Sequence, residues 1–467
     1  MAHSASAESN DVQNDRGNPH WTRLRSEREL DHIPGDDGWP LVGTTLTQLA
    51  DPLGFGARMA ARYGPVFRTR SFGRRLVNLT GPEANELVLV DRERIFSSEQ
   101  GWGPLLNLLF PRGLMLLDFD AHRLDRRALS VAFKPEAMRH YCDALNADIS
   151  RRTQSWGAGP MVLYPAIKAL TLETAATSFL GLPLGPEADR VNSALVDMVA
   201  ASVAPVRRPL PFTKMGKGVA GRQLMVDYFS GLLRQRRASA GQPGRDMFSQ
   251  FALATREDGA LLPEDLVVDH LIFLMMAAHD TITSSMTVLL WQLARHPQWQ
   301  QKLRLEARAA AGGDAQNLSF EGLAQLELAE MALKEALRLM PPLPATPRRA
   351  LKEFSFGGYR IPAGTGIGIS AAAVHADPAY WPEPAHFDPL RFAPEAAAKR
   401  HKYAWVPFGG GAHMCLGIHF AYMQVKVLLN HILTRYEISL PPGYAPSWQA
   451  WPIPKPRDGL HVVLRSV

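Results

Sequence analysis

Cysteine is nearly absent from this chain: Cys142 and Cys415 are the only two in 467 residues. They lie far apart, in neither a zinc nor a redox spacing, so a disulfide framework is excluded and a reducing, cytoplasmic setting is expected. Long apolar runs are missing too. No stretch approaches the roughly 18 apolar residues of a membrane span, and the opening MAHSASAESNDVQNDRGNPH has no apolar signal-like segment. The formal net charge of +6 is scattered rather than gathered into a basic block, which argues against nucleic acid as a partner. Internal repeats and low-complexity linkers are also lacking after about residue 30. The expectation is a polar tail over residues 1–30 and a single domain over 31–467.

What is present is apolar material: 46% hydrophobic against 21% charged residues, enough for a large core with an interior cavity. Apolar residues three and four apart in ADPLGFGARMAARYG, EANELVLVDRERIF, AHRLDRRALSVAF and GLAQLELAEMALKEALRLM predict a mainly α fold. Strand patterns are few: VFRTRSF and RLVNLT, then FSFGGYRIPAGTGIGIS, then HVVLRSV at the end. They are expected to make one small sheet at one side. The longest helix opens at Pro263, with Glu264 and Asp265 in its first turn, and runs to about His296, roughly 50 Å.

The middle of that helix, LIFLMMAA from Leu271 to Ala278, is apolar on every face and so is predicted to run through the core. His279, Asp280 and Thr281 follow directly. Polar groups halfway along a buried helix are costly unless paired or used. A Thr281 hydroxyl bonded back to its own helix is the competing structural explanation.

Near the C-terminus stands VPFGGGAHMCLGIHF, Val406 to Phe420. The residues after Cys415 have a helical pattern, so its sulfur is placed at a helix start, where unpaired N–H groups favour a thiolate. Three consecutive glycines beside it permit positive φ and close approach of a flat group. Cys415 could be a buried structural cysteine, a nucleophile with His413 as base, or a metal ligand. The nucleophile lacks an identifiable orienting group, and no Lys-Ser or Lys-Thr follows the glycines to make a phosphate loop. A lone thiolate does suffice as the axial ligand of haem, whose porphyrin supplies the other donors.

FGGGAHMCLG resembles the cysteine-loop signature of the cytochrome P-450 superfamily of haem-thiolate monooxygenases, with Phe408, Gly411, His413, Cys415 and Gly417 at the expected offsets. Four further stretches, in the expected order, are similar to the family's other motifs. KEALRLMPP resembles its Glu-x-x-Arg helix, which implies a structural triad of Glu335, Arg338 and, from FDPLRF, Arg391. AHRLDRR looks like its propionate-binding helix, implying that His122 and Arg126, with Arg348 and His413, bind the haem carboxylates. AAHDT resembles its oxygen-activation segment, which implies a proton relay through Asp280 and Thr281, although Ala278 stands where glycine is usual.

The resemblance reaches from IPGDDGWPLVG to the final strand. His413, the AAHDT wording and PLPFTKMGKGVAGRQLM look most like the branch of sterol demethylases and retinoic-acid hydroxylases. It implies haem b, dioxygen, and electrons from NAD(P)H through a separate ferredoxin and ferredoxin reductase, in a soluble monomer. Gly101–Phe119 falls where the family places a loop over the haem, so Trp102, Leu105, Leu106, Leu109 and Phe110 are expected to wall a lipophilic pocket. Met198–Phe212 is the expected lid opposite, with Ala277 and His279 beside the substrate. A steroid, terpenoid, retinoid or fatty acid would suit such a pocket. A haem-thiolate peroxygenase or isomerase, and a non-catalytic haem sensor, are the alternatives.

Overall fold

The computed structural model describes residues 20–467 except 41, 72, 178–180, 182–184, 239–243, 313, 316 and 317. Most of the tail expected over 1–30 lies outside the described residues, but its last third is packed. Trp21 is 7% exposed, Leu30 is fully buried in a 3-10 turn, and the Thr22 amide donates to Gln100 Oε1 at 2.9 Å. The folded body therefore begins before residue 31.

The fold is built around the helix Glu264–Arg295, which starts after Pro263 with Glu264 and Asp265 in its first turn. By length and composition it could cross a membrane, yet 67% of its most apolar window is buried in protein. Its apolar side chains belong to the larger of the buried cores. It packs against the helices Leu163–Ala175, Lys214–Ala238 and Glu327–Leu339. Its hydroxyls are satisfied locally: Thr283 and Thr287 donate to carbonyls one turn back, and Thr283 meets Thr171 at 2.7 Å. The core helix can thus carry polar side chains at little cost.

The strands do not form one sheet. A six-stranded sheet runs in the order Gly35–Asp36, Val66–Ser71, Arg74–Leu79, Gly366–Ile369, Thr346–Ala350, Phe96–Ser97. The final strand, His461–Ser466, lies instead between Tyr436–Ser439 and Gly159–Val162 in a separate three-stranded sheet. Phe354–Phe356 and Tyr359–Ile361 make a hairpin whose turn is Gly357 and Gly358, both at positive φ. Strand Thr346–Ala350 reads TPRRA, with no apolar alternation to reveal it, because its core-facing positions include Arg348 and Arg349.

Candidate functional site

Cys415 lies just ahead of the helix Ile418–Leu433, whose N-cap is Gly417. The loop before it is closed by backbone bonds from the Cys415 amide to the Phe408 carbonyl at 2.9 Å and from Gly409 to Val406 at 3.0 Å. Phe408 is held between Trp405 and Tyr422, with ring centroids 6.0 and 5.6 Å away. The glycines serve the protein's own packing more than a flat ligand. Gly411 sits at φ +58°, where a Cβ would fall 2.0 Å from the Leu89 carbonyl oxygen, so the loop can lie against the helix Pro82–Val90 only without a side chain.

Burial pushes the Cys415 thiol above its ordinary pKa; the Gly417 amide and the Arg126 charge pull it down without overcoming that. The helix start opposes this push, but desolvation is the larger of the two effects on the free thiol. Protein atoms crowd around Cys415, yet its surface is accessible.

Gathered near Cys415 are four basic side chains from three separate segments. His122 and Arg126 come from the helix Phe119–Leu129, Arg348 from the strand Thr346–Ala350, and His413 from the cysteine loop. The His122 and His413 rings stack with centroids 3.9 Å apart. Desolvation, then the Arg126 and Arg348 charges, hold His122 down to about 4. Burial, Arg348, His122 and Arg126 hold His413 down to about 2. Arg348 is itself depressed to about 10, by burial against the weaker pull of Asp118 and Asp91.

Among the described residues, no carboxylate contacts Arg126, Arg348 or His413. Asp91 and Asp118, the nearest acids to Arg348, are already bound to the backbone amides of Ile95, Phe96, Ser98 and Glu99. Among the described residues, His122 Nε2 is buried without a hydrogen-bond partner and the Arg348 side chain bonds only the Pro347 carbonyl. Buried cations left unpaired are costly. The set therefore fits a group that brings its own carboxylates.

A second arginine cluster is closed internally. Arg338 donates to Glu335 Oε2 at 2.7 Å and Oε1 at 2.8 Å, and Arg391 Nε lies 3.4 Å from Glu335 Oε1. Arg338 also donates to the carbonyls of His375 and His386. His375, which the sequence did not single out, accepts the Val406 amide on Nε2 at 3.0 Å and so ties this cluster to the cysteine loop. Only a contact across 31 residues reveals it, and no local pattern carries that information.

On the central helix, the Thr281 hydroxyl donates to the Ala277 carbonyl at 2.7 Å, leaving its lone pairs free to accept. Ala277 and Ala278 are half-buried. Asp280 Oδ1 is 3.0 Å from His279 Nδ1, and no hydrogen bond joins it to Thr281. Burial raises the Asp280 carboxyl, but the His279 bond and the charges of Lys168 and Lys455 outweigh it and leave the pKa below the ordinary range.

The expected pocket wall is altered. Gln100 to Leu106 is helical, within Glu99–Leu106, rather than a loop. Trp102 and Leu105 are half-buried, whereas Leu106, Leu109 and Phe110 are 7%, 0% and 1% exposed. Leu109 closes against Gly218, and Phe110 meets Phe273 edge-on at 6.1 Å. Those two are core residues, since hydrophobicity alone does not separate a cavity wall from packing. His279, also expected beside the substrate, lines a small cavity with Leu172, Asn192 and Tyr228 instead.

The family model described as cytochrome P-450 matches residues 33–451. The chain belongs to the cytochrome P-450 family. It is 34% identical over 444 residues to cytochrome P-450 136 of Mycobacterium tuberculosis, covering 93% of this chain and 89% of that one. To human cytochrome P-450 26C1 it is 29% identical, covering 95% of this chain and 90% of that one. The solved structure of retinoic acid bound cyanobacterial CYP120A1 superposes with a TM-score of 0.83 at 28% identity, covering 93% of this chain and 99% of that one. This P-450 is an oxidoreductase whose cofactor is haem b and whose co-substrate is dioxygen, with electrons drawn from NAD(P)H through redox partners.

Proposed function

We propose that this P-450 hydroxylates a lipophilic substrate, with Cys415 as the axial haem ligand and His122, Arg126, Arg348 and His413 holding the haem carboxylates. The observation that carries it is the four-residue basic cluster, with no carboxylate contact at Arg126, Arg348 or His413 among the described residues, gathered near an accessible cysteine. When bound, the haem supplies the activation of dioxygen, and thiolate ligation favours O–O cleavage. The chain's part is placement. The Gly417 amide points at the sulfur, Phe408 packs the loop against Tyr422, and Gly411 lets the loop settle on Leu89. Asp280 rests as a carboxylate, able to take up a proton and pass it on, and Thr281 Oγ1, fixed by Ala277, offers lone pairs to receive and position one. The triad of Glu335, Arg338 and Arg391 keeps the loop's support rigid and touches no reacting group.

Three relatives or neighbours carry lipophilic molecules in their names: retinoic acid bound CYP120A1, abscisic acid 8'-hydroxylase 3 of rice and a beta-amyrin 28-monooxygenase of Saponaria officinalis. They support a terpenoid-derived substrate for this chain. Electrons would come from a ferredoxin with its reductase in the cytoplasm. The helix Phe119–Leu129, which bears His122 and Arg126, also exposes Arg123 and Arg127; these pair with Asp120 and Glu257, so an acidic donor would have to exchange those pairs.

A screen of retinoids, sesquiterpenoid acids and triterpenes for the spectral shift of substrate binding, followed by turnover with ferredoxin and reductase, tests the reading. A hit that gains one oxygen atom supports it. Turnover supported equally well by peroxide without reductase, and unchanged in Thr281→Ala, would replace it with a peroxygenase.

A further inference from the structure

His279 precedes Asp280 on the central helix, and its ring does not face the haem side with Thr281. It is 5% exposed and turned toward the helices Leu163–Ala175, Pro186–Ser202 and Lys214–Ala238. One ring nitrogen, Nδ1, is 3.0 Å from Asp280 Oδ1; the other, Nε2, is buried with no hydrogen-bond partner. A carboxylate only accepts, so Nδ1 carries the proton of this bond; in the neutral tautomer that leaves Nε2 as an acceptor. An acceptor left bare in the core is costly, and this one faces a cavity of about 20 Å³, enough for about one water. The cavity is otherwise apolar except for Asn192 and Tyr228, which make no hydrogen bond among the described residues. Both are donors able to reach Nε2 through such a water.

We infer that His279 is the positioning residue for Asp280, and that the cavity it shares with Asn192 and Tyr228 is a water site that fixes its tautomer. The chain of contacts runs from Tyr228 and Asn192 through the water to Nε2, across the ring, and from Nδ1–H to the carboxylate. Asp280 also faces Lys168 and Tyr164 on the helix Leu163–Ala175 and Lys455 on the strand Lys455–Pro456, which act on it through charge without a hydrogen bond. His279 alone gives the carboxylate a direction. Asn192 and Tyr228 lie on the two helices that flank the expected lid, so the orientation of the proton-carrying side chain is tied to how those helices sit.

This inference rests on the reading of Asp280 as a proton donor, and the experiment separates the two. Histidine-selective nitrogen NMR of the haem-loaded, diamagnetic ferrous carbon-monoxide form should show one ring, absent in His279→Asn, protonated at Nδ1 and bare at Nε2. Coupling of NAD(P)H use to product should fall about tenfold in His279→Leu and recover most of the way in His279→Asn, whose amide can replace the Nδ1 donor. The doubly substituted Asn192→Leu, Tyr228→Phe protein should show an altered Nε2 shift with haem and substrate spectra unchanged. An Nε2-protonated ring, or a His279→Leu protein as well coupled as wild type while Asp280→Asn is uncoupled, would overturn the positioning role alone. If Asp280→Asn is itself fully coupled, the donor reading fails first, and the inference with it.

Discussion

Two buried groups of arginine and histidine support the cysteine loop, and they are closed in opposite ways. In one, Glu335, fully buried, answers Arg338 at 2% exposure and reaches Arg391. In the other, Arg348 at 5% exposure stands with Arg126, His122 and His413, and among the described residues no carboxylate touches Arg126, Arg348 or His413. Both are equally alien to a hydrophobic core. The difference is that the first is complete within the chain, while the second makes electrostatic sense only with carboxylates brought by a ligand. In the proposed reading, one serves stability and the other cofactor retention.

Breaking the closed cluster should have the largest effect. Glu335→Gln leaves Arg338 buried beside a neutral amide and should cost about 3–5 kcal/mol, seen as a lower denaturant midpoint and poor recovery of haem-loaded protein. A full-stability variant would mean that the carbonyls of His375 and His386 suffice for Arg338.

The open cluster should respond with the other sign. Arg348→Leu removes an unpaired buried cation, so the midpoint before haem loading should not fall. Loss of a charge-assisted bond worth about 1.5–3 kcal/mol should speed haem transfer to apomyoglobin about tenfold or more. A loss of stability with unchanged haem retention would place Arg348 with the structural group instead.

A smaller effect sharpens the same contrast through pH. His122 is held at about 4, below its ordinary value of 6.5, so the unfolded chain takes up a proton before the folded one does. Stability is intact above about 6.5 and declines as pH falls from there through about 4. Haem carboxylates beside His122 would favour its charged form, so haem-loaded protein should lose less over that window, as unfolding midpoints at a series of pH values would show. Asp125, His270, His413, Arg126 and Arg348 all act on this ring, and His122→Gln should flatten the profile.

Much of this was legible in the sequence. The central helix needed only its apolar run and Pro263, and the cysteine loop was marked by its glycines and its rare sulfur. What escaped was whatever depends on distance along the chain. His375 meets Val406 across the fold, strand TPRRA hides its pattern because arginines fill its buried positions, and Leu109 and Phe110 look like a pocket wall until Gly218 and Phe273 are seen against them. The burial of the Cys415 thiol escaped for a related reason. A helix start is visible locally, but the burial that opposes it is a property of the whole fold.

The most direct test of the account is the carbon-monoxide difference spectrum of the reduced protein and of Cys415→His. Thiolate ligation by Cys415 predicts the long-wavelength Soret band in the wild type and its loss in the variant while haem is retained. The same band in Cys415→His, or its absence from intact wild-type protein, would contradict the assignment.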